Sequence, residues 1–397
     1  MLIYKLLKLL GWVLSPFIII ILYITNLFTP IKLGILVPDR VGNFAVTTEL
    51  HLRRLQLGLV DRKVFYLFVY DPRYVANTFL LSLFKRKVKA IGSVVLEASI
   101  SRVKPILSYL GLFYDFNTKC VEFYEFNNAS VSLGFTAEEK QVGIETLKAM
   151  GINYPDQQFI CLFSRDSAYL KKTYPQKDWS YHDFRNLDID VFESSVKYLI
   201  DSGYYVIRVG SIVEKPMSFS HSKLIDYPYT DFRSEFMDVF LSAHCKFILG
   251  TESGGTDLAI LFDVPQLIVN NSIVGRAPWG RNGLYIPLRL KEKSSVSPLP
   301  YYECLKRAYD HCDNGLAMES QGIEHIQNTP DEILRVTQEM LNKLEGRFSY
   351  TEEDASLLKR YYSEFWVHTF SKDVKNPIGI DYLREYKNLF LKEAESL

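Results

Sequence analysis

Apolar residues fall along this chain in two ways. Residues 9–28 form one long block that carries no charge, with Lys5 and Lys8 ahead of it. Elsewhere short apolar runs alternate with stretches whose apolar positions recur three and four apart. Short runs predict buried strands and the spaced stretches predict helices, so the order predicts an α/β protein. Strands are expected at 31–38, 64–69 and 88–91, with helices at 46–57, 75–84 and 101–110. Residues 118–128 fit neither pattern. Thr136 and Glu139 form a capping box for a helix that runs to Met150 and stops at Gly151.

The alternation then restarts. Strands are expected at 158–163, 204–209, 224–226, 247–249 and 266–269, with helices at 191–201, 235–243 and 256–262, which predicts a second doubly wound parallel sheet. After Asn271 the pattern loosens, and 279–290 reads as a Gly/Pro-rich loop. Thr329, Pro330, Asp331 and Glu332 make a helix start with the cap, the proline and the acids in their favoured places. Further helices are expected from 351 to 370 and from 381 to 395. The divisions expected are an apolar segment over 1–30, a first α/β domain over 31–150, a second over 151–345, and C-terminal helices over 346–397.

The apolar block is long enough to span a bilayer, which takes about 20 residues. It lacks a small-residue cleavage site, which argues against a signal peptide. Pro16 lies inside it and is expected to kink or break a helix. A spanning helix with Lys5 and Lys8 inside would put the remaining chain outside the cell. An interfacial or re-entrant helix would keep it on the cytoplasmic face.

With 397 residues, two domains are expected. Net charge is zero, which excludes a bulk nucleic-acid binder. Between residues 31 and 105, however, thirteen Lys/Arg face five Asp/Glu, a net of +8 beside the apolar block. Such a segment suits an anionic membrane or a phosphate-bearing substrate. The 14% of aromatic residues reads as core rather than as sugar-stacking surface. Five cysteines, Cys120, Cys161, Cys245, Cys304 and Cys312, are scattered without a CxxC. Cys161 and Cys245 fall on core strands, and the set reads as reduced thiols rather than a disulfide framework. His311 and Cys312 near Cys304 are too sparse for zinc.

Candidate chemistry centres on 245–270. A buried strand ends in Gly250-Thr251-Glu252-Ser253-Gly254-Gly255 and turns into a helix. Such a turn points unpaired backbone N–H groups at a crevice and suits a diphosphate, with glycines allowing close approach. Arg165, Arg185 and Arg208 lie near strand ends or in the loops after them.

Phe163-Ser164-Arg165-Asp166-Ser167-Ala168-Tyr169-Leu170, Tyr181-His182-Asp183-Phe184-Arg185-Asn186-Leu187-Asp188-Ile189, 203–210 and 236–241 together resemble a family of bacterial glycosyltransferases. These belong to surface-polysaccharide loci, such as those for O-antigen or capsule, and have a GT-B type fold. The resemblance covers nearly the whole chain. Two departures are Asn43, where a His is expected after the first-loop Gly42, and Glu252-Ser253-Gly254-Gly255, which varies on a Thr/Gly-Ser-Gly pattern.

The resemblance implies two Rossmann-like domains facing a cleft and an inverting, metal-free transfer without a cofactor. The expected partners are a nucleotide sugar, a lipid-linked glycan and the membrane surface. A cytosolic donor and reduced cysteines favour the cytoplasmic face of the bacterial inner membrane. Donor contacts are expected from Arg165, Ser167, Arg185, Asn186, Arg208, Gly210, Thr251, Glu252, Ser253, Gly254 and Gly255. Acceptor contacts are expected from Arg40, Gly42 and Asn43. The alternative is that one or two of these arginines only pair with Asp166, Asp188 or Asp190. For the base that takes the acceptor proton, Asp166 comes first, then His182, with Asp39 as a third choice. Asp188-Ile189-Asp190 is formally a metal-binding DxD, but acids at a helix start are expected from the dipole alone, and Asp188 is taken to support Arg185. Asp226 and Glu252 are candidates for ribose or sugar hydroxyls. Trp279 and Tyr285 either stack on a ring or pack the core. The final helices are expected to cross back to the first domain. An epimerase of the same fold and a non-catalytic assembly subunit are the alternatives; the anchor and the basic segment argue against the first, and the intact Arg165, Arg185 and Arg208 against the second.

Overall fold

A computed structural model describes residues 2–116, 123–273, 275–309, 312–364, 366 and 374–391. The chain divides into two compact units, Met1–Thr136 and Ala137–Leu397. Cys120 and His311 lie outside the described residues.

The first unit opens with helix α1 (Leu2–Asn26), which runs unbroken through Pro16. Proline at that position leaves the Trp12 carbonyl without its usual N–H donor four residues on. The Ser15 hydroxyl donates to that carbonyl instead, at 2.7 Å. The expected break at Pro16 is therefore absent. Strands β1 (Ile31–Ile35), β2 (Phe65–Tyr70) and β3 (Lys89–Gly92) form a parallel sheet in the order β1-β2-β3. Helices α2 (Val41–Gln56), α3 (Thr78–Lys85), α4 (Val94–Tyr109) and α5 (Phe123–Asn128) complete the unit.

Helix α1 is built into this unit. A Cβ on Gly11 would come within 2.5 Å of the Val95 carbonyl oxygen, so glycine sets the close approach to α4. The Ser99 hydroxyl donates to the Gly11 carbonyl at 2.6 Å. Three turns further on, Leu22 is buried in one cluster with Leu33, Val69, Ile100, Val103 and Leu107.

The second unit begins with α6 (Ala137–Ala149), where a boundary at 150 was expected. The reason is local: Gly143 lies flat on the Phe240 ring, which a Cβ would approach to 2.2 Å. Next come β4 (Phe159–Phe163), α7 (Ala168–Thr173) and two 3-10 turns, Ser180–Arg185 and Ile189–Phe192. Then follow α8 (Glu193–Asp201), β5 (Tyr205–Arg208), β6 (Leu224–Asp226), α9 (Glu235–His244), β7 (Ile248–Thr251), α10 (Gly254–Ile260) and β8 (Gln266–Asn271). Strand β9 (Leu284–Pro287) and the start of β10 (Arg289–Glu292) occupy the stretch read as a loop. The rest comprises α11 (Tyr301–Lys306), α12 (Gly315–Ser320), β11 (Ile323–Ile326), α13 (Pro330–Leu344), α14 (Glu352–Glu364), α15 (Ile380–Glu385) and α16 (Lys387–Phe390).

Six strands form one parallel sheet in the order β6-β5-β4-β7-β8-β9. Chain order runs outward from β4 to β6 on one side, then from β7 to β9 on the other. The reversal falls between β4 and β7, and such a switch point is where open α/β sheets bind ligands. Cys161 and Cys245 are buried free thiols, in line with their apolar surroundings.

Helix α13 starts as its sequence predicts. The Thr329 N–H donates to Glu332 Oε2 at 2.7 Å, and the Glu332 N–H donates to Thr329 Oγ1 at 3.3 Å. Several described contacts of the C-terminal residues lie within the second unit. Ile378 bridges to Tyr285 alongside β9. The Gly379 N–H donates to the Tyr285 carbonyl at 2.9 Å, and the Tyr285 N–H donates to Pro377 at 3.2 Å. Phe390 stacks on Tyr301 with centroids 4.3 Å apart, and Arg384 pairs with Asp354. An open sheet edge and a set of buried tyrosines draw the tail here.

Candidate functional site

The loops that leave β4 and β7 meet at the switch point and are tied together. The Arg165 N–H donates to the buried Thr251 Oγ1 at 2.9 Å. Thr251 thus joins the two strand ends. The backbone approach there depends on glycine. A Cβ on Gly250 would lie 2.3 Å from the Phe163 carbonyl oxygen, and one on Gly255 would lie 2.4 Å from the Phe163 ring. Both glycines, read as room for a ligand, are fixed by packing against β4. Ser253 and Gly254 start α10, whose first N–H groups have no acceptor within the helix.

Two arginines converge on this point. Arg165 is buried, and its guanidinium donates to the His182 carbonyl at 3.1 Å and to Asn186 Oδ1. Burial, with Arg185 adding repulsion, pushes its pKa down to about 10. Asn186 in turn donates to Asp183 Oδ1 at 2.8 Å. Arg185 donates to the Glu252 carbonyl oxygen at 2.8 Å. Its Nε is buried without a partner among the described residues. Two cations held side by side in a desolvated place favour an anion between them.

Glu252 balances them. Its carboxylate accepts the Ser272 hydroxyl at 2.6 Å and the Ser272 N–H at 3.2 Å. Arg276 lies 3.2 Å from it and Arg185 3.9 Å. Burial alone would raise its pKa. Arg276, Arg185 and the Ser272 bonds outweigh burial and hold the carboxylate at about 2. Asp257, one turn into α10, moves the other way. Burial is the main cause and the Glu252 charge adds to it; against Arg276 and Arg185 they raise Asp257 to about 7. Arg276, Ser272 and Asp257 escaped sequence reading. The first two follow β8 in a stretch without periodicity, and Asp257 reads as an ordinary first-turn acid.

The other expected residues lie differently. Arg208 is buried at the end of β5 and pairs with Asp226 of β6 at 2.9 Å, donating also to the Lys215 carbonyl at 3.0 Å. It does not join Arg165 and Arg185. Asp226 is fully engaged, since its other oxygen accepts the Met217 N–H at 2.9 Å. Asp166 spends both oxygens on backbone, Ala168 and Glu214 N–H at 2.9 Å each, which leaves it a loop brace rather than a free base. The His182 ring packs against Tyr181 with centroids 4.0 Å apart. Asp188 and Asp190 share the Lys215 ammonium, at 2.8 and 2.7 Å, so Asp188 supports Lys215 and not Arg185. Among the described residues no group of three or more His, Cys, Asp or Glu is placed to hold a metal.

Gly210 has φ of 152°, a conformation glycine favours, at the turn after β5. Ser167 precedes α7 without a side-chain capping bond. Trp279 is buried beside Arg276, whose guanidinium lies 5.2 Å from its ring. Tyr285 is core, with its hydroxyl 2.7 Å from that of Tyr361. Arg40, Gly42 and Asn43 belong to the first unit, where β1 gives way to α2, and Asn43 accepts the Thr47 hydroxyl through its carbonyl at 2.6 Å.

A parallel sheet of this order is a doubly wound α/β unit, and its arginine-bearing loops lie at the switch point, the edge where such sheets take their ligands. No family model matches the chain, and no curated protein matches it. Solved structures that resemble it include a glycosyl transferase family 9 protein from Veillonella parvula DSM 2008, at 10% identity and a TM-score of 0.44, covering 79% of this chain and 98% of that one. E. coli heptosyltransferase WaaC with ADP-2-deoxy-2-fluoro heptose aligns at 11% identity and a TM-score of 0.33, over 64% of this chain and 92% of its own. The iron-containing dodecameric glycosyltransferase TibC from enterotoxigenic E. coli H10407 aligns at 11% identity and a TM-score of 0.39, over 81% and 77%.

Proposed function

We propose that the protein is a glycosyltransferase that moves a sugar from a nucleotide-sugar donor to a lipid-linked glycan in surface-polysaccharide synthesis. The observation that carries this reading is the pairing of Arg185 and Arg276 with Glu252 at the switch point, with the Arg165 guanidinium close enough to Arg185 to repel it. A leaving nucleoside diphosphate must be neutralised as the glycosidic bond breaks. Fixed guanidinium groups do this without a metal and without reorganising. Glu252, held ionised, keeps Arg185 and Arg276 aimed at one place. In this reading Asp257, in the first turn of α10 near Glu252, is a candidate acceptor of the incoming hydroxyl's proton beside Asp166. The first unit takes the glycan acceptor in this reading, by way of Arg40, Gly42 and Asn43. The apolar helix holds the protein at the cytoplasmic face of the inner membrane.

The test is a panel of nucleotide sugars offered to membranes that contain the full chain, with and without chelator. Transfer to lipid-linked material is expected and should survive the chelator. Epimerised nucleotide sugar without transfer would overturn the reading, and loss in chelator would overturn its metal-free part. Gly254→Asp puts a carboxylate at the first turn of α10. It is expected to weaken donor binding by at least about tenfold through charge repulsion, with the thermal midpoint little changed. Calorimetric titration of the donor reads this, and unchanged affinity would move the site elsewhere.

A further inference from the structure

We infer that α1 and the outer face of α4 form one membrane-docking surface that lies in the plane of an anionic leaflet and does not span the bilayer. This deepens the membrane part of the proposed reading and rests on it. Helix α1 is the one described helix long and apolar enough to cross a membrane. Its buried positions, Gly11, Ser15 and Leu22, follow helical spacing on one side. The flanks and the side turned away expose Trp12, Val13, Phe17, Ile20, Ile21 and Ile24. A stripe that wide leaves far more apolar surface in water than a folded monomer ordinarily exposes in one patch.

The attachment to α4 decides the orientation. The two helices touch near Gly11 and Val95 and share a core near Leu22, Val103 and Leu107, so they run side by side in the same direction. A spanning α1 would carry Glu97, Arg102 and Lys104 of α4 into hydrocarbon together with the sheet behind them, which charged groups oppose. Lying flat avoids this. The apolar face continues across the seam, because Arg102 sits 5.1 Å over the exposed Trp12 ring. Beyond it, on the same face of α4, Ile106 and Tyr109 are exposed. The charge points to anionic lipid. Helix α1 contains no acid, and Lys5 and Lys8 stand at its start. Basic residues beside an apolar helix face draw a protein to negatively charged headgroups.

Two measurements test this on the purified full chain without substrate. Flotation with phosphatidylcholine vesicles is compared with and without phosphatidylglycerol. Binding is expected to be about tenfold stronger with the anionic lipid and to weaken in salt. The paired substitution Ile20→Glu and Ile21→Glu, at exposed positions, is expected to abolish it. In oriented membranes, Lys5→Cys and Thr29→Cys are treated with an impermeant thiol reagent, with the unsubstituted chain as background. Both should label from one side only. Labelling from opposite sides would overturn the in-plane orientation, and equal binding to neutral vesicles would overturn the anionic partner. Donor binding, read separately on the same preparation, distinguishes either failure from a failure of the transferase reading.

Discussion

Arg185→Met is expected to lower kcat/KM for the nucleotide sugar by about 100- to 1,000-fold, the usual cost of removing one preorganised donor from a developing negative charge. Arg185 is chosen because one guanidinium nitrogen is fixed to the Glu252 carbonyl, close to the Glu252 carboxylate, while its Nε has no hydrogen-bond partner among the described residues. The first contact sets its direction, and the second leaves a donor for the ligand. Arg208→Met is the control. That guanidinium is committed to Asp226, so its loss should lower the thermal midpoint and leave donor affinity of the folded protein unchanged. Steady-state kinetics and donor titration on both variants check the pair. Equal effects at the two positions would mean that the site is not organised around the switch point.

Glu252→Gln is expected to destabilise the second unit by about 3 kcal/mol at pH 7, since it leaves Arg185 and Arg276 without their shared anion. The pH dependence follows from the depressed carboxylate. Its folded pKa of about 2 lies below its ordinary value of 4.5, so its contribution is complete above pH 4.5 and is lost as pH falls through about 2. The gap between wild type and variant should therefore shrink to about 1 kcal/mol at pH 3. Urea unfolding at the two pH values measures this. A gap that stays constant would mean that the carboxylate is not held by the arginines.

Much of this arrangement is legible in the chain. The apolar runs at 158–163 and 247–249 and the glycines after the second mark strands that end at a ligand edge. Arg165 and Arg185 stand out because both fall beyond the same strand. What escapes is pairing across the sheet. Arg208 meets Asp226 because β5 and β6 are neighbours with those residues in register, and no local pattern in the chain carries strand order. Thr251 and Arg165 are joined for the same reason. Arg276 and Ser272 reach Glu252 from a loop whose sequence has no period to read. At Pro16 the local rule was right about the missing donor, and the hydroxyl one residue earlier makes good the loss. Strand β9 was hidden by its proline and by a glycine-rich approach.

That strand has a bearing on how the protein is made. Its outer edge is covered by Pro377, Ile378 and Gly379, residues that come far later in the sequence than the strand they cover. During synthesis the six-stranded sheet can assemble from β4 onward while this cover has yet to emerge. For that interval β9 presents unpaired backbone groups beside a cluster of uncovered tyrosines, a state prone to pair with another chain. Closing the sheet therefore waits for residues 377–379, and a chain released before them would present an adhesive edge.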